Sequence, residues 1–196
     1  RRAFERAADA VRSGEPTTEG ALSEWIRSEL TGEGLVVKPD CIVAIGPKAA
    51  DSHYAPIEAG ETINRGDLLL IDLWGAFEGM VFADQTWMGF LGNAVDDRTQ
   101  AIWEAVRDAR DAAVIFLEDR FEAGEDLRGY EVDDVARNVI ADRGHGPHFV
   151  HRTGHSMDID LHGSGPNLDN LETRDDRLIV PGVGFSIDGP ALLPLF

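Results

Sequence analysis

Two stretches 110 residues apart read as the same helix closed by the same glycine, and this repeat restricts the chain to folds built from two halves of like plan. Gly14-Glu15 lines up with Gly124-Glu125, Leu22 with Val132, Trp25 with Val135, Arg27 with Arg137, Leu30 with Ile140 and Gly34 with Gly144. Each half then reads as two helices followed by strands. The repeat is weak, and two amphipathic helices share a register cheaply, so chance alignment is the competing reading. A true duplication predicts two α+β halves related by a pseudo-twofold, with a site between them.

Local patterns fill in the plan. Residues 1–13 and about 18–31 read as helices, the second opened by Pro16-Thr17-Thr18-Glu19, a cap with acid in the first turn. Residues 35–46 alternate and end at Gly46-Pro47, a strand and a turn. Residues 66–77 and 80–90 are apolar and aromatic, as paired strands are. Residues 98–121 form a long helix opened by Asp97, with Ile102, Trp103, Val106, Ala113, Val114 and Leu117 on its buried face. Residues 130–143 form a shorter one, and from residue 148 the chain turns to short strands and glycine-rich loops.

Charge and cysteine usage exclude some classes. A formal charge of -18 repels phosphate backbones, so no nucleic-acid partner is expected. No apolar run approaches the ~20 residues of a membrane span, so no membrane partner is expected either. Cys41 is the single cysteine, which forbids an intrachain disulfide and fits a cytoplasmic location. The chain starts Arg1-Arg2-Ala3 and stops at Leu195-Phe196 after an apolar run, and it is expected to be a piece of a longer protein.

Two groups of residues carry chemistry. Asp72 ends one strand of the hairpin and Asp84 lies on the other. A three-residue loop from Phe77 to Gly79 would pair Ala76 with Met80 and set Asp72 directly opposite Asp84. Opposed carboxylates among apolar neighbours repel and lose solvation, and a cation removes both penalties. The plain alternative is one aspartate capping a turn and the other in water. The second group is His151-Arg152-Thr153-Gly154-His155 with His162, three of six histidines within twelve residues. Gly144, Gly146 and Pro147 argue against a helix there. Alternation of Met157, Ile159 and Leu161 with Asp158, Asp160 and His162 predicts a strand from Ser156. Gly154 allows a close backbone approach beside His155.

With these residues in order, the chain resembles the pita-bread-fold metallopeptidases: Xaa-Pro aminopeptidases, prolidases, methionine aminopeptidases and creatinase, with the Xaa-Pro branch most similar. A strand ending in Ile-Asp, then a second Asp before Thr, appears as Ile71-Asp72 and Asp84-Gln85-Thr86. His-x-x-Gly-His with a downstream His appears as His151, Gly154, His155 and His162; a His-Tyr pair after a Gly-Pro turn appears as Gly46-Pro47 and His53-Tyr54. The resemblance implies an α+β pita-bread (creatinase/aminopeptidase) fold, a curved antiparallel sheet covered by helices, with 1–196 as catalytic domain lacking its C-terminal strand and any N-terminal domain. It implies two divalent metal ions, with Asp72, Asp84 and His155 as ligands and Asp188, after the apolar run Phe185-Ser186-Ile187, where the family carries Glu. His53, His151 and His162 would line the substrate site and assist proton transfer.

Three departures stand out. Asp188 is one methylene shorter than Glu, no acidic residue follows it to supply the family's last bridging Glu, and the Asp72–Asp84 spacing is one residue longer than usual. The implied activity is a dinuclear metal-dependent peptidase acting on short peptides of Xaa-Pro type through a metal-bridging hydroxide, with Mn, Co, Zn or Fe suited to the ligand set. The missing Glu predicts weak metal affinity and low activity. A homodimer is the expected assembly. The alternatives are a metal-depleted, non-catalytic peptide-binding module on the same fold, and a creatinase-like metal-free hydrolase.

Overall fold

The computed structural model describes residues 1–15, 17–37, 41–51, 54–55 and 58–188. The chain divides into two compact units, Arg1–Asp96 and Asp97–Leu195. Among the described residues no helix is long and apolar enough to cross a membrane.

In the first unit, α1 (Arg2–Ser13) and α2 (Glu19–Gly32) flank a short strand β1 (Thr17–Thr18) that pairs with β3 (Thr62–Ile63). The Thr18 side chain accepts from the Ala21 N–H at 3.2 Å, the N-cap expected of it. A three-stranded antiparallel sheet runs in the order β2 (Ile42–Ile45), β4 (Leu68–Gly75), β5 (Ala83–Phe90). Alternation on β4 sends Leu69 and Ile71 to the helices, where they are buried with Ala3 and Ala7 of α1, Leu22 and Ile26 of α2, and Val43 and Ile45 of β2. The same alternation places Leu70, Asp72 and Trp74 on the opposite face.

The second unit is led by α3 (Asp97–Glu122) packed on α4 (Gly129–Asp142). Ala105, Ala109 and Ala113 form a fully buried stripe on α3, so the helix backbones can approach closely over Val132, Ala136 and Ile140. This stripe rotates the buried face away from Trp103, which is exposed, against expectation, with Arg107 stacked 5.1 Å from its ring. After α4 the described residues are mostly irregular, with one two-residue pairing of β6 (Ser156–Met157) and β7 (Gly184–Phe185) among them.

The repeat recurs inside both units. The bounds of α2, Glu19–Gly32, reappear 110 residues on as Gly129–Asp142. Each helix is followed by a glycine at positive φ, 87° at Gly34 and 80° at Gly144, the left-handed stop that L side chains avoid.

Two expectations need correcting. The hairpin loop spans residues 76–82, and Asp72 pairs with Thr86 while Asp84 pairs with Trp74. Ala76 is drawn out of the hairpin by a two-bond bridge to Val36, Val36 N to Ala76 O at 2.7 Å and Ala76 N to Val36 O at 3.2 Å. Nor does a strand run from Ser156 to His162. It stops at Met157, because the Asp158 carboxylate accepts from the N–H groups of Asp160 at 2.8 Å and Ser164 at 3.1 Å and turns the chain back.

Candidate metal-ligand residues and their supports

Within the first unit, the register slip leaves parity intact. Asp72, Asp84 and Thr86 lie on one face of the sheet, the one opposite the helices. Asp72 and Asp84 are diagonal partners, roughly 7 Å apart at Cβ by ladder geometry. Thr86, directly across from Asp72, donates from Oγ1 to Asp72 Oδ1 at 2.8 Å. That bond fixes one oxygen of Asp72 and aims the other. Sequence reading noted Thr86 only as part of a pattern; the signal it missed was the pairing that makes Thr86 the neighbour of Asp72.

Within the second unit, His155 is buried, with its backbone tied into an extension of the β6–β7 pairing. Ser186 N donates to His155 O at 2.8 Å, and Asp188 N donates to Thr153 O at 2.9 Å. Gly154 has the close approach expected of it, since a Cβ there would lie 2.0 Å from Ser186 O. The His155 ring has a fixed tautomer. Its Nδ1 lies 3.1 Å from Ser156 O, and a carbonyl only accepts, so Nδ1 carries the proton. In the neutral ring Nε2 then holds the lone pair, and it lies 3.8 Å from Asp188 Oδ2. Ser186 orients the carboxylate by donating from Oγ to the same Oδ2 at 3.0 Å, and accepts from His155 N at 3.1 Å.

The Nε2–Oδ2 distance is informative. It exceeds any hydrogen bond, and two donors bound at about 2.1 Å to one ion are separated by roughly 3–3.8 Å for angles of about 90–130°. A ring N–H handed to a backbone carbonyl is also how metal-binding histidines are commonly held. The other histidines differ in setting. His151 is half-buried, with Nδ1 2.9 Å from Arg152 O. His162 is exposed, its ring 4.3 Å from that of His155 at an interplanar angle of 64°. His53 lies outside the described residues.

Known proteins resemble this chain along nearly its whole length. An Xaa-Pro dipeptidase of Lactobacillus delbrueckii subsp. lactis is 30% identical over 196 residues, which cover 99% of this chain and 49% of the relative. The crystal structure of dipeptidase PepE from Mycobacterium ulcerans superposes with a TM-score of 0.74 at 28% identity, over 95% of this chain and 46% of that one. An Xaa-Pro dipeptidase from Bacillus anthracis gives 0.77 at 25% identity, over 98% and 50%. The chain thus spans about half the length of these relatives. The fold is the expected α+β pita-bread class. Residues 1–190 match one family along nearly all of the chain, and the chain belongs to metallopeptidase family M24.

Proposed function

We propose that this chain carries the catalytic part of a divalent-metal peptidase that hydrolyses short peptides of the Xaa-Pro type. The ligands we assign, as the family pattern implies for two ions, are Asp72 and Asp84 on the β4–β5 hairpin and His155 and Asp188 in the second unit. The observation that carries the reading is the His155–Asp188 pair, with its fixed tautomer and a separation of 3.8 Å. The names of the relatives, Xaa-Pro dipeptidase and dipeptidase PepE, supply the substrate class.

Carboxylates with one imidazole suit Mn, Co, Zn or Fe better than copper or a thiolate-seeking metal. Such ions, when bound, make water a better nucleophile and polarise a carbonyl. The protein's own residues do the rest. Thr86 and Ser186 hold Asp72 and Asp188 in fixed rotamers. His151 and His162, with His53, orient the peptide and move protons to the departing amine.

The non-catalytic module gains support from Asp188, whose side chain is shorter than the Glu of the family pattern. A metal-free hydrolase has no use for Asp72, Asp84 and His155 together. Calorimetric titration with Co2+ or Mn2+, then assay on an Xaa-Pro dipeptide and a longer peptide, separates these readings. Binding that is lost in Asp84→Ala, weakened in wild type by the missing Glu, with slow hydrolysis in the loaded protein, is the expected result. A wild-type chain that takes up neither metal refutes the proposal.

A further inference from the structure

We infer that Asp133 and Arg137, a buried ion pair on α4, are positioning residues that set the backbone from which His155 faces Asp188. This rests on the reading of His155 as a metal ligand. The pair lies one turn apart on the helix, Asp133 wholly buried and Arg137 mostly so. Among the described residues, its other hydrogen bonds go to the segment before His155 or to the loop that pairs with it. Asp133 Oδ1 accepts from the Thr153 N–H at 2.8 Å and from Thr153 Oγ1 at 2.6 Å. Asp133 Oδ2 accepts from the Asn170 N–H at 2.9 Å. Arg137 donates to His151 O at 2.6 Å and to Phe149 O at 3.1 Å, and its guanidinium lies 4.2 Å from the Phe149 ring.

Thr153 transmits the grip. Its hydroxyl is held by Asp133, its N–H is shared between Asp133 Oδ1 and Leu168 O at 3.0 Å, and its carbonyl accepts the N–H of Asp188. A shift of Asp133 therefore moves Thr153, and with it both the strand position of His155 and the origin of Asp188.

The first unit shows what this connection needs when no histidine is involved. By the 110-residue repeat, Ser23 stands at the place of Asp133, Arg27 at that of Arg137 and Cys41 at that of His151. There the contacts at these positions are neutral, Ser23 Oγ to Cys41 O at 2.9 Å and to Cys41 Sγ at 3.3 Å. Arg27 is partly exposed and pairs with the i−3 carboxylate of Glu24 at 3.7 Å. Ser23 thus ties helix to segment without a charge at this position; the buried acid of α2 is Glu19 at its start, which takes the Ile45 N–H and pairs with Lys48 instead. Burying a charge pair carries a desolvation penalty, and apolar residues often replace such pairs without loss of stability. The second unit has the pair where the segment bears His151 and His155, and fixed backbone geometry is what it adds.

The test uses the 196-residue chain with Asp133→Asn and Arg137→Lys, and Leu117→Ala as a variant that weakens the same unit from α3. Co2+ alone is the probe, read by affinity and by its visible spectrum, beside backbone amide shifts and melting temperature. The expected result is a loss of Co2+ affinity of about 10-fold or more in folded Asp133→Asn or Arg137→Lys, the range typical for groups that support a metal ligand. The altered amide shifts should concentrate at residues 149–155 and 186–188. Leu117→Ala should melt lower and bind Co2+ as the wild type does. Folded variants with wild-type affinity and spectrum overturn the inference, and so does a failure of both to fold, which marks the pair as general support for the unit. Should the wild type itself bind no Co2+, the functional reading fails, and the amide shifts alone decide: displacement at Thr153 to His155 supports positioning, and unmoved shifts overturn it.

Discussion

Gly154→Ala should damage this protein far more than one methyl group suggests. An added Cβ would lie 2.0 Å from Ser186 O, 2.9 Å from Ser186 C and 3.4 Å from Ile187 Cα, all backbone atoms. An ordinary carbon–oxygen contact is about 3.3 Å, so the two segments must part by about 1.3 Å. That motion stretches the bonds Ser186 N to His155 O and Asp188 N to Thr153 O, now 2.8 and 2.9 Å. Two lost bonds at about 1 kcal/mol each and overpacking strain of about 1–3 kcal/mol give a destabilisation of about 3–5 kcal/mol. At about 2–4 °C per kcal/mol for a chain of this size, the melting temperature should fall by roughly 10 °C. Circular dichroism melts measure it. Gly14→Ala is the control: φ there is 73° with no atom within 4 Å, so only the left-handed backbone strain of about 1–2 kcal/mol applies. If Gly154→Ala melts with or above Gly14→Ala, the close approach of the two segments is wrong.

Two other variants probe the supports. Thr86→Val removes the donor to Asp72 on an exposed strand position; unfolding in urea should shift by less than about 1 kcal/mol while Co2+ affinity, by calorimetry, drops about 10-fold or more. Asp175 is buried, which pulls its carboxyl upward, but the Arg177 guanidinium and the N–H groups of Asn167 and Arg177 outweigh that and hold it below 3.8. A carboxyl lowered by folding contributes stability above its unfolded value and loses it as pH falls through the folded one, so Asp175→Asn should be less stable than wild type near neutrality and converge with it below about pH 4. Melting curves from pH 7 to 2.5 that stay parallel would contradict this assignment.

Sequence pattern recovered what is local. The four helices, the β4–β5 pairing and the close approach at Gly154 follow from periodicity, caps and glycine, and their bounds differ from expectation by one to three residues. What it missed depends on contacts distant along the chain. The register of Asp72 against Asp84 turned on Val36, which bridges to Ala76 from outside the hairpin. The end of β6 turned on Asp158, whose polarity fits the outward face of a strand as well as it fits a turn. Asp133 reads as an ordinary helix acid, yet it stands between Val132 and Ala136 on the buried side of α4. An acid inside an apolar stripe, with Arg one turn on, was the available signal; its partners Thr153 and Asn170 could not be inferred from spacing.

A shared physical need explains why acids recur inside both units. In the second unit the segments that carry the functional residues are largely irregular, and β6 and β7 pair over only two residues each, so few of their N–H groups find partners in a ladder. Carboxylates accept instead. Asp169 takes the N–H groups of Leu171, Glu172 and Thr173 at 2.8, 3.0 and 3.1 Å, and Asp175 takes that of Asn167 at 2.7 Å. In the first unit, buried Glu19 takes the N–H groups of Ile45 and Glu61 at 3.0 and 2.8 Å and the Tyr54 hydroxyl at 2.7 Å, tying both ends of the 46–60 connection to α2. An ionised carboxylate accepts several bonds and donates none, which suits converging N–H groups better than any neutral side chain. Part of the charge of -18 is therefore internal scaffolding, and it sits where loops must be held still for side chains to keep fixed separations. Acidity and fixed loop geometry are thus linked in this chain: where ladders end, carboxylates accept the backbone N–H groups that strands would otherwise pair.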